Sequence, residues 1–262
     1  MNSHLRVMGQ SLVLGLAEFR TLYSVKSWLS SWLLRMLAQV AFFASIGLLV
    51  RSHESVTYLL VGNAVVLVCL ESTVVVLFMA GERYQGTLSA LLATPGQPVV
   101  AFLGRGLSWV VTGLVTSVVT LSLLPPVFGI ALSIPRLLVC VPIIAVIGLS
   151  SYAYGSFLGG LTLRFPPLDW LVLNVGYLLV MAFAGVNVPV SYWPLVPRAL
   201  AQILPVTHGL HAVRGVLDAA PVGSVLADLG LEIVVGLGWL TAAAVSYRLV
   251  VNHARRRGSY AT

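Results

Sequence analysis

Few side chains in this sequence are suited to chemistry, and the most conspicuous is Glu71. It is the single acid deep in an apolar stretch, "LVCLESTVVVLF". An ionisable group at membrane depth is costly and by default faces the interior of a helix bundle. Glu71 could line a substrate path or relay protons. A protonated or hydrogen-bonded packing residue is an equally good interpretation, because no basic partner can be named within the apolar stretches.

Two further pairs of ionisable residues have spacings that could place both side chains on one face of a helix. His208 and His211 are three apart, but a metal site needs three or four ligands and no third is evident, so we favour a structural role. Asp228 and Glu232 are four apart and therefore share a helix face. Arg198 or Arg214 could pair with these acids, and a solvated rim is a slightly better interpretation than a gate.

Motifs for catalysis or nucleotide binding are missing from the sequence. There is no H-E-x-x-H and no G-x-x-x-x-G-K-[ST]. The chain therefore lacks the usual loop for nucleotide phosphates, and any ATP must be used by another polypeptide. We expect no catalytic residue, no metal and no cofactor on this chain, which is not itself an enzyme.

Composition indicates an all-α integral membrane protein. Of 262 residues, 58% are hydrophobic and 9% are charged, whereas about a quarter of a soluble domain is charged. The net charge of +7 could suggest nucleic acid. However, the basic residues lie in the connections between apolar stretches, where they act as topology signals, so we expect no nucleic-acid partner.

A spanning helix needs about 20 mostly apolar residues. That length predicts a single transmembrane domain, 1–262, with six spans. They lie at about 30–50, 57–80, 98–124, 137–163, 168–189 and 223–250.

The basic residues also predict the orientation, because short cytoplasmic segments collect Lys and Arg. With the N-terminus inside, eleven basic residues are cytoplasmic and four are external, so both termini should be cytoplasmic, in the plasma membrane or bacterial inner membrane. The cytoplasmic set is Arg6, Arg20, Lys26, Arg35, Arg83, Arg105, Arg164, Arg248, Arg255, Arg256 and Arg257, and the external set is Arg51, Arg136, Arg198 and Arg214.

Three connecting segments have a character of their own. Apolar residues recur every three or four positions over about 4–27, which predicts an amphipathic helix in the membrane interface, although an extension of the first span remains open. "GERYQGTLSALLATP", at 81–95, predicts a cytoplasmic helix over about 82–94, whose leucine strip needs either the interface or a protein groove. Five prolines divide the apolar segment 187–223 into short helices, which predicts a re-entrant hairpin over about 190–220 on the outer face.

The sequences of the loop and of the hairpin both resemble patterns of one known protein family. The loop resembles the E-[RK]-x-x-G-T-L-x-x-L-L-x-[ST]-P pattern of ABC-2 type transporter permeases, the membrane subunits of type 2 ABC exporters. The hairpin sequence "ILPVTHGLHAVRGVL" is similar to that family's segment before the last span. The matching residues are Glu82, Arg83, Gly86, Thr87, Leu88, Leu91, Leu92, Thr94 and Pro95 in the loop, and Pro205, Thr207 and Arg214 in the hairpin.

The resemblance implies an exporter subunit resembling those for drugs and antibiotics. The loop would be the coupling helix that docks into a cytoplasmic ATPase, and two permeases, identical or homologous, would pair with two ATPases that bind ATP and Mg. The hairpin would lie near the exit, with an extracellular gate at Pro205, Thr207, His208 and Arg214. The cargo would be an amphipathic or hydrophobic compound: a drug, an antibiotic or a lipid-like molecule.

Substrate contacts are expected on the first, second and fifth spans, where a few polar side chains stand out. They are Arg35, Glu71, Asn174, Tyr177 and Asn187. Three alternatives remain open. The same architecture could export a lipid-linked polysaccharide, although no span shows an aromatic stripe. A proton-coupled secondary transporter would use Glu71, and an intramembrane enzyme would use His208 or His211.

Overall fold

In a computed structural model of the chain, the residues described are 24–84, 106–163 and 168–257, together with residue 15. All of them lie in helices or in short connections, and none of these residues is in a β-strand. The all-helical class is confirmed for this part of the chain. Most of the predicted interface helix, 4–27, and residues 85–94 of the predicted coupling helix lie outside it.

Ten α-helices follow one another along the described residues. A π-helical turn, Trp28–Leu33, joins the first two, and a 3-10 turn, Val190–Tyr192, precedes the eighth. The α-helices are α1 Val25–Ser27, α2 Leu34–Leu49, α3 His53–Thr73, α4 Val75–Tyr84, α5 Leu107–Val127, α6 Ile134–Thr162, α7 Asp169–Phe183, α8 Leu195–Ile203, α9 Thr207–Leu217 and α10 Val222–Arg257.

Five segments of the described residues are long and apolar enough to cross a membrane, as expected of a membrane-embedded protein. They correspond to the predicted first, second, third, fourth and sixth spans. Their bounds are Trp28–Leu49, His53–Phe78, Leu107–Val127, Ile134–Thr162 and Val222–Val250.

The predicted fifth span, 168–189, contains a shorter helix. Helix α7 has 15 residues and is about 22 Å long at 1.5 Å per residue, less than the roughly 30 Å of a hydrocarbon core. It ends just before Gly185, whose φ of +80° is left-handed and costs glycine little. The apolar residues that follow are therefore not helical, although their composition resembles that of a span.

Helix α3 is the centre of the bundle. It packs against α2, α5 and α6, and its side chains from Leu60 to Cys69 are all buried. Helix α10 packs against α6 and α9, yet most of its surface is exposed. Exposed apolar faces suit helices that are surrounded by lipid, because the solvent there is itself apolar.

Helices α8 and α9 form a hairpin, which we call the α8–α9 hairpin; α9 packs along α10, and the end of α8 contacts α10. The indole Nε1 of Trp239 donates to the carbonyl of Ile203, the last residue of α8, at 2.7 Å. Trp239 is 17 residues after Val222, so this contact lies about 25 Å along α10 from its first residue. The turn of the hairpin therefore lies beside the middle of α10 rather than at its end.

Candidate functional site

The turn between α8 and α9 has an unusual backbone. Val206 immediately precedes α9 and has a φ of +81°. A β-branched residue rarely adopts this left-handed conformation, because its side chain crowds the backbone, and such strain persists only where the surroundings impose it. Pro205 and Thr207, predicted gate residues on either side of Val206, are both buried.

Glu232 of α10 holds this turn. Its Oε1 accepts a hydrogen bond from the N–H of Val206 at 3.0 Å, and its Oε2 accepts one from the N–H of Gly209 at 2.9 Å. The side chain is completely buried. The first N–H groups of a helix have no partner within the helix, and a carboxylate is their best acceptor because it also meets the positive end of the helix dipole. Glu232 is thus an N-cap supplied by a distant helix.

Asp228, one turn before Glu232, binds α9 as well. Its Oδ2 lies 2.6 Å from Nδ1 of His211, whose side chain is largely exposed. His208 instead places its Nε2 3.1 Å from the carbonyl oxygen of Gln202. Within the described ranges, no group of three His, Cys, Asp or Glu residues could hold a metal ion.

Arg214 anchors the other end of α9. Its Nη1 donates to the carbonyl of Gly185 at 2.9 Å, and its Nη2 donates to the carbonyls of Tyr58 and Val186 at 3.1 and 3.3 Å. The guanidinium carbon is 3.5 Å from the centroid of the Tyr58 ring, a cation–π contact. Arg214 therefore ties α9 to α3 and to the bends after α7.

The sequence-based pairing of Asp228 and Glu232 with Arg198 or Arg214 is not what the structure contains. Glu232 binds two backbone N–H groups, Asp228 binds His211, and Arg198 donates to the carbonyl of Ser191. The physical reason is the capping requirement of α9, which places unpaired N–H groups, rather than an arginine, against the buried acid.

The predicted substrate residues lie in more than one place: Arg35 is close enough to Tyr177 to interact with it electrostatically, whereas Asn174 and Asn187 have other partners. Asn187 accepts a hydrogen bond from Asn63 of α3 at 2.9 Å, beside the α8–α9 hairpin. The hydroxyl of Tyr177 accepts one from Gln39 of α2 at 3.2 Å, and exposed Asn174 donates back to its own helix. The guanidinium of Arg35, on α2, lies 5.3 Å from the ring centroid of Trp32.

Glu71 lies in the last turn of α3 and is completely buried. The polar groups nearest its carboxyl are the hydroxyls of Thr112 and Thr116 on α5 and the indole of Trp32. Neither carboxyl oxygen makes a hydrogen bond of standard geometry within the part of the chain that the structure describes. This acid therefore has polar neighbours without the satisfied partners that Glu232 has.

The coupling residues predicted from the loop fall mostly outside the described residues. Glu82 and Arg83 lie in the last turn of α4, which continues the second predicted span as far as Tyr84. The others lie in the range 85–105, outside the described part: Gly86, Thr87, Leu88, Leu91, Leu92, Thr94 and Pro95.

Comparisons with known proteins add no relative: no family model matches the chain, and no curated protein is detectably similar to it.

The sequence analysis did not predict the capping role of Glu232. Two features of the sequence could have indicated it. Glu232 lies ten residues into an apolar span, and the proline-divided segment before that span contains a helix whose first N–H groups need hydrogen-bond acceptors.

Proposed function

We propose that this chain is the permease subunit of an ATP-driven exporter, forming the path for an amphipathic or hydrophobic compound such as a drug, an antibiotic or a lipid-like molecule. The observation that carries the proposal is the α8–α9 hairpin beside the middle of α10, where Trp239 and Glu232 hold it. This arrangement occurs in the segment whose residues Pro205, Thr207 and Arg214 resemble the permease pattern.

The depth of the hairpin supports a re-entrant arrangement. Glu232 is ten residues after Val222, or about 15 Å along α10. A helix N-terminus at such a depth finds no water, so its N–H groups need acceptors from the protein, and Glu232 supplies them. In the proposed topology, α7 with the bends after it is the fifth of six spans, the hairpin enters from the outer face, and both termini are cytoplasmic.

The proposed complex contains two permeases and two cytoplasmic ATPases. The segments Trp28–Leu49 and Val222–Val250 bury only small fractions of their surface within one chain, which leaves faces for lipid and for a second permease, identical or homologous. ATP and Mg would be bound by the ATPases, which contact the loop that begins at Glu82. Closure of the ATPases would move this loop and switch the packed helices between two states.

A proton-coupled secondary transporter is the second candidate, because Glu71 is buried and makes no hydrogen bond of standard geometry to the described residues. A carboxyl in such a position can exchange a proton when the surrounding helices open. This candidate requires no ATPase and predicts a flux that follows an imposed pH gradient.

The test is purification of the tagged chain from its native membranes. We expect a P-loop ATPase to co-purify, and to be lost in Leu91→Asp/Leu92→Asp, which puts charge on the leucine strip of the loop. Leu249→Asp, an exposed position of α10, is the matched control and should retain it. Absence of any ATPase, with pH-driven flux in vesicles containing this chain alone, would establish the second candidate instead.

A further inference from the structure

We propose that Glu232 is a positioning residue that fastens the first turn of α9 to α10, so that α9 and α10 move as one unit when the outer end of the path opens. The inference rests on the proposed function for its consequence in transport. The tie between the two helices stands on the geometry alone.

Both oxygens of the carboxylate are committed to this tie. Oε1 binds the N–H of Val206 at 3.0 Å and Oε2 binds the N–H of Gly209 at 2.9 Å. Since Glu232 is completely buried, water cannot replace either bond, and separating α9 from α10 would leave three buried polar groups without partners.

The close approach of the two helices depends on a glycine. A methyl group at residue 209 would lie 2.2 Å from Cγ1 of Ile147 on α6 and 3.2 Å from Cγ of Glu232. Any side chain here would push the first turn of α9 away from both neighbours. Gly209 therefore brings its N–H within reach of Glu232 at a place where α6, α9 and α10 meet.

Backbone strain at Val206 favours a change in the turn when Glu232 no longer binds it. Val206, with a φ of +81°, stores backbone strain. Its N–H is one of the two groups that the carboxylate holds. Without that acceptor, Val206 can return to an ordinary negative φ, and the direction of the chain entering α9 changes with it.

The far end of α9 would stay in place during such a change. Arg214 continues to bind the carbonyls of Gly185, Val186 and Tyr58. Helix α9 would therefore pivot about Arg214, with its first turn, and the end of α8 beside it, moving most. With Glu232 in place, the same helix must follow α10.

The first test is hydrogen exchange on the purified chain in lipid nanodiscs. Glu232→Gln keeps the shape of the side chain but replaces one acceptor oxygen with an NH₂ group, which cannot accept from a backbone N–H. We expect exchange at residues 204–210 to become at least about tenfold faster, with no change in α3. Asp228→Asn, one turn away on the same face, should leave that segment within about twofold of the wild type. Unchanged exchange in Glu232→Gln would overturn the tie.

The second test measures transport and ATP hydrolysis together in the assembled complex. Glu232→Gln should lower the amount transported per ATP hydrolysed about fivefold or more while hydrolysis persists, because the helices still move but the hairpin no longer follows. Glu232→Asp, which keeps both oxygens on a shorter side chain, should restore part of the ratio. If exchange accelerated while the ratio stayed at the wild-type value, Glu232 would be purely structural and the positioning role would be wrong.

The two tests separate the possible failures. If Glu232→Gln does not insert, Glu232→Asp carries the same comparison, with an intermediate increase in exchange expected and an unchanged profile contradicting the tie. If the unmodified protein shows no ATP-driven transport at all, the proposed function fails. The exchange experiment still decides whether Glu232 holds α9 against α10.

Discussion

The two buried carboxyl groups, Glu232 on α10 and Glu71 on α3, lie in very different surroundings. Both are completely shielded within the chain. Glu232 accepts two backbone hydrogen bonds, whereas Glu71 makes none of standard geometry within the described residues. Burial alone therefore does not distinguish a structural acid from one that is available for exchange with a proton or a ligand. The set of donors around the acid does.

The origin of this difference is the part of the neighbouring helix that each acid faces. Glu232 meets a helix N-terminus, where N–H groups have no internal partner. Glu71 meets the side of α5, where the backbone is already paired. The nearby hydroxyl of Thr116 donates to the carbonyl of Thr112, and that of Thr112 donates to the carbonyl of Trp109. Because each hydroxyl has a single proton, a threonine that donates to its own helix in this way does not donate to Glu71 at the same time.

The largest effect should come from removing the guanidinium of Arg214. Arg214→Ala would leave the carbonyls of Gly185, Val186 and Tyr58 without this donor, and we expect a loss of about 3 kcal/mol or more in the free energy of unfolding. Arg214→Lys should recover less than half, since an ammonium cannot reproduce the planar fork. Reversible unfolding in detergent micelles measures both. A loss below about 0.5 kcal/mol for the alanine variant would mean that these contacts do not stabilise the hairpin.

A slightly smaller effect should follow from overpacking at Gly209. Gly209→Ala places a methyl group 2.2 Å from Ile147, and we expect about 2 kcal/mol of destabilisation in the same unfolding experiment. The double variant Gly209→Ala/Ile147→Ala should be less destabilised than the sum of the single variants, because the smaller side chain makes room. Strict additivity in this double-mutant cycle would show that the two residues are not in contact.

Glu71→Gln sharpens the comparison most directly. Since Glu71 loses no hydrogen bond of standard geometry to the described residues on this change, we expect a change of less than about 1 kcal/mol in unfolding free energy. Glu232→Gln should destabilise the protein more in the same assay. The contrast would be broken if both variants were destabilised equally, because that would place unrecognised donors around Glu71.

His211→Ala should have the smallest effect. The contact of His211 with Asp228 has a largely exposed imidazole, and exposed polar or charged pairs contribute about 0–1 kcal/mol. We expect the free energy of unfolding to change by less than about 0.5 kcal/mol. Measuring His211→Ala and Arg214→Ala, which lie on the same helix, in the same unfolding experiment would show the difference between them. A loss comparable to that of Arg214→Ala would show that Asp228, rather than Glu232, is the principal tie between α10 and α9.

Much of the fold could be predicted from the sequence, because a membrane leaves few alternatives. Backbone groups in lipid must be satisfied internally, so apolar runs of sufficient length become helices, as in α3, α6 and α10. The end of α7 was harder to predict: apolar residues continue past Phe183, and the helix ends just before the left-handed Gly185.

The two buried acids also differ in how far the sequence could predict their roles. Glu71 was prominent in the sequence because an acid inside an apolar run is a local feature. The partners of Glu232 are 23 and 26 residues away, at Gly209 and Val206. Nothing in the spacing of Asp228 and Glu232 indicates that one would cap a distant helix while the other binds His211. Such a pairing follows from how α9 packs against α10, which periodicity does not specify.

The most direct test of the proposed function is substrate-stimulated ATP hydrolysis by the assembled complex carrying Glu82→Ala and Gly86→Trp. These changes alter the loop through which an ATPase would act and leave the spans intact. We expect insertion to be normal, while transport and substrate-stimulated hydrolysis are both abolished. Full substrate-stimulated hydrolysis in this variant would contradict the assignment of the loop as the coupling element.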